Sequence, residues 1–212
     1  MNSYQYNPEL DKDFFQVISD WWPNDDVSLL FKNPMYDRYY IMWKYSKLIS
    51  TLEGDFVECG VYNGSTANIM ATNCNNTLHL FDSWEGLSEL GPYDNAIYED
   101  LTFGFTDYKF KYEFKKTKQN LIKHDNIKYY KGWIPKVLNL DTKISFLHLD
   151  LDLYQPTKDC LEYFWEKIID GGIVLCDLHN EVSTGASKAT KDFFSNLRDI
   201  KVLSTGQAII KK

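Results

Sequence analysis

From about residue 54 onward, short apolar runs alternate with amphipathic segments, and this alternation constrains the fold more than any other feature. Each apolar run has the length of a strand: DFVECGV (55–61), TLHLFD (77–82), NIKYYKGW (126–133), KISFLHLDL (143–151) and GGIVLCDL (171–178). Continuous apolar strands separated by helices are typical of a mostly parallel sheet covered on both faces. We therefore predict an α/β fold with helices on both sides of such a sheet.

Helices are predicted between the strands, and a hairpin is predicted after the last one. The segment 154–172 (YQPTKDCLEYFWEKIIDGG) has a proline in its first turn, apolar residues at helical spacing and a terminal glycine pair. The segment 185–197 (GASKATKDFFSNL) is a second helix candidate. The tail IKVLSTGQAIIKK is typical of two strands around a Ser-Thr-Gly turn, which would add an antiparallel edge to the sheet.

The chain is predicted to have two parts. Residues 1–53 are helical and aromatic in pattern, and we expect an N-terminal helical layer or a lid over the ligand edge of the sheet. Residues 54–212 are expected to form a single compact ligand-binding domain. The segment 84–124 is too long for a simple connection, so we expect a helix and an ordered loop that could close over a substrate. A homodimer is expected, and the N-terminal helices could serve as its interface, as a lid over the active site, or as both.

Composition excludes some classes of partner. A formal net charge of -7 argues against nucleic acid and anionic membranes, which attract basic surfaces. No apolar run approaches the length of a membrane span, and the polar first residues do not resemble a signal peptide. The cysteines Cys59, Cys74, Cys160 and Cys176 form no Cys-x-x-Cys pair and are interpreted as buried, reduced side chains. We expect a cytoplasmic protein.

Chemically informative residues gather where the first two strands end, which is where open α/β sheets bind ligands. In VECGVYNGST, Gly60 and Gly64 allow a tight turn before a helix N-terminus, and Glu58 suits a cationic group. Asp82, at the end of the second strand, suits the two hydroxyls of a ribose, although an aspartate here could also cap a helix. Together these residues favour an adenosine ligand.

Five ordered blocks resemble the macrocin O-methyltransferase (TylF-like) family of S-adenosylmethionine-dependent enzymes: GDFVECGVYNGS, LFDSWEGL, KGW, LDLDLYQPT and GGIVLCDLHN. The resemblance covers roughly residues 35–212. It implies the seven-stranded, Rossmann-like sheet of class I methyltransferases with an antiparallel C-terminal hairpin. It also implies methylation of a sugar hydroxyl on a small metabolite, commonly with Mg²⁺.

The resemblance assigns cofactor contacts to the ends of the first three strands. It places Glu58, Gly60, Gly64 and Ser65 around the methionine part, Asp82 and Ser83 at the ribose, and Gly132 and Trp133 near the adenine. Trp133 could equally be a core aromatic residue.

The resemblance assigns metal ligands to acids at the ends of the fourth and fifth strands. Asp150 and Asp177 match these positions, but Leu178 stands where a second aspartate is expected. Mg²⁺ prefers oxygen ligands and can be held by few carboxylates. Because Leu178 replaces one of the expected acids, the sequence leaves open whether a metal binds. We interpret Asp150 and Asp177 as catalytic residues that orient or activate a hydroxyl, directly or through a cation. His179 is interpreted as an auxiliary base, a replacement ligand or a loop histidine.

Two further residues in the fourth strand and the turn after it are predicted to have structural roles. Asp152 is predicted to begin the turn that leads into the helix at Pro156, and His148 is predicted to be a satisfied core histidine.

Two other functions remain open at the level of sequence. The incomplete acid pair would suit a non-catalytic cofactor-binding or regulatory protein of the same fold. A nucleotide-dependent sugar oxidoreductase is a third candidate, which the missing Gly-x-Gly-x-x-Gly pattern disfavours.

Overall fold

The structure, a computed structural model, describes residues 12–23, 34–94, 110–178, 184–195 and 200–212. Its helices are α1 (Lys12–Trp21), α2 (Pro34–Ile49), α3 (Ser65–Asn73), α4 (Phe114–Asn120), α5 (Tyr154–Phe164) and α6 (Thr184–Phe193), with a 3₁₀ turn at Trp165–Lys167. Its strands are β1 (Asp55–Cys59), β2 (Leu78–Asp82), β3 (Ile127–Lys131), β4 (Ile144–Leu149), β5 (Ile168–Asp177), β6 (Lys201–Val202) and β7 (Gln207–Lys211).

The seven strands form one sheet in the order β3-β2-β1-β4-β5-β7-β6. Strands β1 to β5 pair in parallel, whereas β7 is antiparallel to both β5 and β6. The predicted α/β class, the mostly parallel sheet and the C-terminal antiparallel hairpin are therefore confirmed. Chain order reverses between β1 and β4, which creates the crevice at the carboxyl edge that doubly wound sheets use for ligands.

One boundary differs from the prediction. The glycine pair expected to end the helix lies inside β5, which begins at Ile168 and pairs there with Ile144. The register shifts before Phe146, and Gly171 adopts a φ of +84°. A side chain on Gly172 would meet Ile168 at 2.7 Å, so the glycines are needed where the strand is irregular.

Successive strand residues point to opposite faces of the sheet, and each face carries its own core. The core on one face joins residues of α1, α2 and α3 to inward residues of the strands, including Phe14, Met42, Phe56, Ile69, Phe146 and Leu175. The core on the other face includes Val57, Leu147, Phe164, Val174 and Leu178. Asp177 has the parity of Leu175, so it belongs under α2, whereas Leu178 packs in the opposite layer.

The N-terminal helices share the core of the sheet. Phe14 and Ile18 of α1, and Ile41 and Met42 of α2, are buried in the same cluster as residues of β1 and β4. The division into a part up to residue 53 and a domain from residue 54 stays a prediction. In the described ranges, no helix is long and apolar enough to cross a membrane.

Candidate cofactor and acid site

A cavity of about 520 Å³ opens at the carboxyl edge of the parallel strands. It collects loops that follow β1, β2, β3 and β4, the end of β5, and one turn of α2. Its walls include Arg38, Tyr39, residues 60–63, Ser65, Thr66, Asp82, Ser83, Gly132, Trp133, Asp150, Asp152 and Asp177. The structure thus brings eight of the predicted site residues to one cavity, while Glu58 and Gly64 are not among its lining residues.

Gly60 lies on the cavity wall where the ends of β1 and β4 meet. Its φ is +87°, and a side chain there would come within 1.9 Å of the carbonyl oxygen of Asp150. The Asp150 N–H donates to the carbonyl of Cys59 at 2.9 Å, which holds the two strand ends together. Gly60 is therefore required by the neighbouring backbone. Gly64 also has a positive φ, and a side chain there would meet Leu121 at 3.0 Å.

Asp82 connects the loops that follow β1 and β2 through hydrogen bonds. Its Oδ2 atom accepts the N–H groups of Val61 and Tyr62 at 2.7 and 2.9 Å, and its Oδ1 atom accepts that of Trp84 at 2.6 Å. An ionised carboxylate offers about four acceptor positions. Asp82 lines the cavity with capacity for about one more hydrogen bond, which is less than two ribose hydroxyls need.

The start of α3 is held by neighbouring side chains. The Ser65 N–H donates to Asn63 Oδ1 at 3.0 Å, and the Ser65 hydroxyl lies 3.3 Å from the Tyr39 hydroxyl of α2. Burial raises the pKa of Tyr39, which keeps this phenol protonated. Helix α2 therefore forms a wall of the cavity as well as a layer on the sheet.

The remaining predicted cofactor residues lie in turns at the cavity wall. The Ser83 hydroxyl donates to the carbonyl of Gly86 at 3.0 Å, and the Gly132 N–H donates to the carbonyl of Asp82 at 2.9 Å. Trp133 is 38% exposed and lines the cavity, so it is not a core aromatic residue.

Glu58 and His148 form a buried pair behind the cavity, where the register of β1 and β4 places them side by side. Neither side chain is exposed, and Nδ1 of His148 lies 2.9 Å from Oε1 of Glu58. Burial raises the pKa of Glu58 although the hydrogen bond from His148 opposes it. Burial opposes a charge on His148, but Glu58, Asp150 and Asp177 outweigh it and raise its pKa.

His148 is only half satisfied. Among the described residues its Nε2 atom has no hydrogen-bond partner, which corrects the prediction of a satisfied core histidine. One ligand atom each of His148, Asp150 and Asp177 lies within 4.8 Å of the others. The histidine therefore belongs to the acid cluster that the sequence assigned to Asp150 and Asp177.

Arg38 of α2 forms an ion pair with Asp177 at this cluster. Burial opposes the charge of the guanidinium, but Asp177 and Asp150 outweigh this and raise the pKa of Arg38. Mg²⁺ requires near-octahedral oxygen ligands. One or two carboxylates with waters are a common ligand set for this ion. Among the described residues, Asp150 and Asp177 are the acids that would hold it, and the ion pair of Asp177 with Arg38 would compete with the ion.

Asp152 has two roles in the structure. It begins the predicted turn, with a φ of +62°, and its carbonyl accepts the N–H of Ala186 at 3.1 Å. It also lines the cavity, which sequence reasoning missed. Left-handed backbone costs about 1–2 kcal/mol for a residue with a side chain, and such strain is concentrated at functional sites.

Sequence reasoning also did not identify Arg38 as a site residue. Arg38 lies on helix α2, whereas the candidate residues were those at the carboxyl ends of strands. His179, the predicted auxiliary base, lies outside the described residues.

The strand order and the cavity at the carboxyl edge are those of class I S-adenosylmethionine-dependent methyltransferases. Within this class, the profile of the family described as macrocin-O-methyltransferase (TylF) matches residues 42–203, more than half of the chain, and the chain belongs to this family.

A curated relative is 25% identical over 142 residues: the 8-demethyl-8-(2,3-dimethoxy-alpha-L-rhamnosyl)-tetracenomycin-C 4'-O-methyltransferase of Streptomyces olivaceus. The alignment covers 61% of this chain and 54% of the relative, so the chain spans about half the length of the curated relative that it matches.

Two solved structures share the fold. CalS11, described as calicheamicin methyltransferase, is 20% identical with a TM-score of 0.69, and the match covers 98% of this chain and 94% of that one. An apo structure of CalS11, described as a TDP-rhamnose 3'-O-methyltransferase, gives 18% identity and a TM-score of 0.57, with 98% and 96% covered.

Proposed function

We propose that the chain is an S-adenosylmethionine-dependent O-methyltransferase that acts on a hydroxyl group of a sugar or a sugar-containing metabolite. The observation that carries this proposal is a single cavity that joins two sets of residues. Gly60, Asp82 and Trp133 line its cofactor side, and Asp150 and Asp177 line the side where an acceptor would react. Membership in the TylF family supports the same chemistry.

The residues of the cavity fit S-adenosylmethionine. Asp82 can accept a hydrogen bond from the ribose, and the exposed face of Trp133 suits a flat base. The glycines of the β1 loop bring backbone close to the cavity, as the methionine part requires. When bound, the cofactor supplies a methyl group on a positively charged sulfur.

The chain itself must position the acceptor and remove a proton. An alcohol is a weak nucleophile at neutral pH, so alignment and a nearby base lower the barrier. We assign Asp150 as the carboxylate that accepts the hydroxyl proton, because it is half-buried on the cavity wall and beside the end of β1. Asp177 is held by Arg38 and orients the acceptor. His179 is proposed as an auxiliary base.

The acceptor class rests on what relatives are described as methylating. The Streptomyces olivaceus enzyme acts on a rhamnosyl-tetracenomycin, and CalS11 is described as acting on TDP-rhamnose. Both acceptors present a hydroxyl of a deoxysugar ring. We accordingly propose a sugar hydroxyl for this chain.

Calorimetry with S-adenosylhomocysteine tests the cofactor, and transfer of a labelled methyl group from S-adenosylmethionine to TDP-rhamnose tests the reaction. We expect saturable binding at one site per chain and labelled product. Asp150→Asn should abolish transfer while the affinity for S-adenosylhomocysteine is retained. If neither the cofactor nor its demethylated product binds, the proposal is wrong. Binding with no transfer to any sugar would favour the non-catalytic alternative.

We also propose that the protein is a cytoplasmic homodimer without nucleic-acid partners, in line with its acidic composition. Light scattering of the eluting species would establish the oligomeric state. A monomer at micromolar concentration would contradict the dimer.

A further inference from the structure

We infer that Gln207, the first residue of β7, is a specificity-determining residue: its amide donates a hydrogen bond to the oxygen of a second hydroxyl group on the acceptor, beside the hydroxyl that is methylated. This role rests on the proposed function and deepens it, because it states which acceptors the cavity selects. A sugar that carries only the reacting hydroxyl would be a poor acceptor.

Gln207 lies beside Asp177 at the carboxyl edge of the sheet. The two residues are directly opposite each other in the antiparallel pair of β5 and β7. Opposite residues point to the same face of a sheet, with their Cβ atoms about 5 Å apart. Gln207 also has the parity of Ile209, which is buried in the core on the side of α2. Its side chain therefore lies next to Asp177, and it lines the same cavity.

The strand order separates Gln207 from the cofactor side of the cavity. From β7 the sheet continues through β5, β4 and β1 to β2. Four strand spacings of about 4.8 Å each amount to about 19 Å between Gln207 and the strand that ends in Asp82. A ligand group that contacts Gln207 therefore lies on the side of Asp150 and Asp177, where the acceptor reacts.

The amide of Gln207 is oriented with its nitrogen available for a ligand. Its Oε1 atom accepts a hydrogen bond from the Thr205 hydroxyl at 2.9 Å. Within the described residues this is the only hydrogen bond of the side chain, although Gln207 is only 2% exposed. Buried polar groups generally have a partner, and a buried donor without one destabilises the protein. The two N–H donors of Nε2 at the cavity wall therefore indicate a partner on the bound acceptor.

A sugar hydroxyl needs two kinds of partner, because it donates one hydrogen bond and accepts others. Ionised carboxylates only accept, so Asp177 binds the hydrogen of the second hydroxyl. The Gln207 amide donates and binds the oxygen of the same hydroxyl, while Asp150 faces the hydroxyl that reacts. An acceptor with an ammonium group at this place has no lone pair for the amide, so it is disfavoured along with an acceptor that lacks the group.

Methyl-transfer kinetics with TDP-rhamnose test this role, together with two deoxy analogues that each lack one of the ring hydroxyls that are not methylated. Gln207→Met removes the amide and keeps an unbranched side chain of similar length. We expect it to raise the KM for TDP-rhamnose by about 3- to 10-fold, as for the loss of one neutral hydrogen bond, with kcat nearly unchanged. For one of the two analogues, wild type and variant should have the same KM, because the partner of the amide is already missing.

Gln155→Met is the matched control. Gln155 donates to Asp159 on the exposed surface of α5 and does not line the cavity, so its loss should leave every KM unchanged. Thr205→Val leaves the amide in place but removes the hydroxyl that orients it, so it should raise the KM for TDP-rhamnose by a smaller factor than Gln207→Met does. Thermal denaturation reports whether each variant is folded, and the affinity for S-adenosylhomocysteine should equal that of the wild type in all three.

Three results would overturn the role of Gln207: an unchanged KM for TDP-rhamnose in Gln207→Met and Thr205→Val, an equal rise in KM for TDP-rhamnose and both analogues, or a loss of affinity for S-adenosylhomocysteine in a folded Gln207→Met variant. Each of them leaves methyl transfer by the wild type intact. A wild type that transfers a methyl group to no sugar contradicts the proposed function itself, so the two failures are distinguishable.

Discussion

Arg38 of α2 and Asp177 at the end of β5 form an ion pair that connects the N-terminal helices to the acid cluster of the sheet. The side chains are only 17% and 5% exposed, so the charge of Asp177 is compensated inside the protein. Removing one partner of a buried pair leaves an uncompensated charge, which costs more than the pair itself contributes.

Arg38→Met should therefore lower the free energy of unfolding by about 2–4 kcal/mol. This is slightly less than the usual cost of about 3–5 kcal/mol for breaking a buried pair, because Arg38 is partly exposed. Urea denaturation at pH 7 measures this. Lys47→Met is the matched control on the same helix, because its ion pair with Asp13 is exposed on both sides (54% and 77%). Exposed pairs contribute about 0–1 kcal/mol. Equal losses in the two variants would contradict a buried role for Arg38.

Gly60→Ala should destabilise the protein severely. The new Cβ atom would lie 1.9 Å from the carbonyl oxygen of Asp150, and both atoms belong to strand ends that are hydrogen-bonded together. We expect a loss of more than about 3 kcal/mol or failure to fold. The control is Gly171→Ala, where φ is also positive but the nearest atom is 3.9 Å away. It should cost only the backbone strain of about 1–2 kcal/mol. Thermal denaturation of both variants compares the two losses of stability. Equal losses would show that backbone strain alone accounts for the effect at Gly60, with no contribution from the close approach of Asp150.

The strands and the edge of the sheet that carries the cavity could be predicted from sequence, because continuous apolar runs indicate buried strands. Alternation of apolar runs and helix signals indicated the parallel sheet, the rule of carboxyl ends pointed to Asp82, and the family resemblance added Asp150 and Asp177. The pairing of Glu58 with His148 could not be predicted in this way. It depends on β1 and β4 being neighbours in a particular register, which the apolar pattern does not specify.

Arg38 illustrates a second limit. The aromatic segment around it was predicted to be a helical layer or a lid, and the pattern of a helix does not say which of its residues reaches an acid on another element.

The role of Leu178 follows from strand parity. Its side chain packs in the layer opposite Asp177, so the residue that replaces the expected acid belongs to the apolar core and does not line the cavity.

Asp82→Asn should weaken binding of S-adenosylhomocysteine by about 10-fold, because an amide can no longer accept all three backbone N–H groups and the β1 loop loses its anchor. Asp94→Asn is the matched control. Asp94 also accepts two backbone N–H groups, from Gly91 and Tyr154 at 2.8 Å, but it does not line the cavity. Both variants should lose about 1–3 kcal/mol of stability, and only Asp82→Asn should lose affinity in calorimetry. Equal affinity in the two variants would place the cofactor away from Asp82.

His124 should make stability depend on pH in the acid range. Its Nε2 atom lies 2.9 Å from Oδ1 of Asn68, so the neutral ring donates this hydrogen bond. Burial and the neighbouring Lys123 lower the pKa of His124 from 6.5 to about 4, against the opposing charge of Asp125. Because the unfolded chain takes up the proton near pH 6.5, the contribution is complete above that pH and is lost as the pH falls toward 4.

The ring is half-exposed, so solvent screening reduces the effect to about 1–2 kcal/mol. Urea denaturation of the wild type and of His124→Asn between pH 4.5 and 7.5 measures it as the difference between the two stability curves. That difference should be largest at pH 7.5 and shrink as the pH falls. Titration of His124 by nuclear magnetic resonance gives its pKa directly, and Lys123→Met should raise that value. A pKa near 6.5 in the folded protein, or two parallel stability curves, would contradict the burial of a neutral His124.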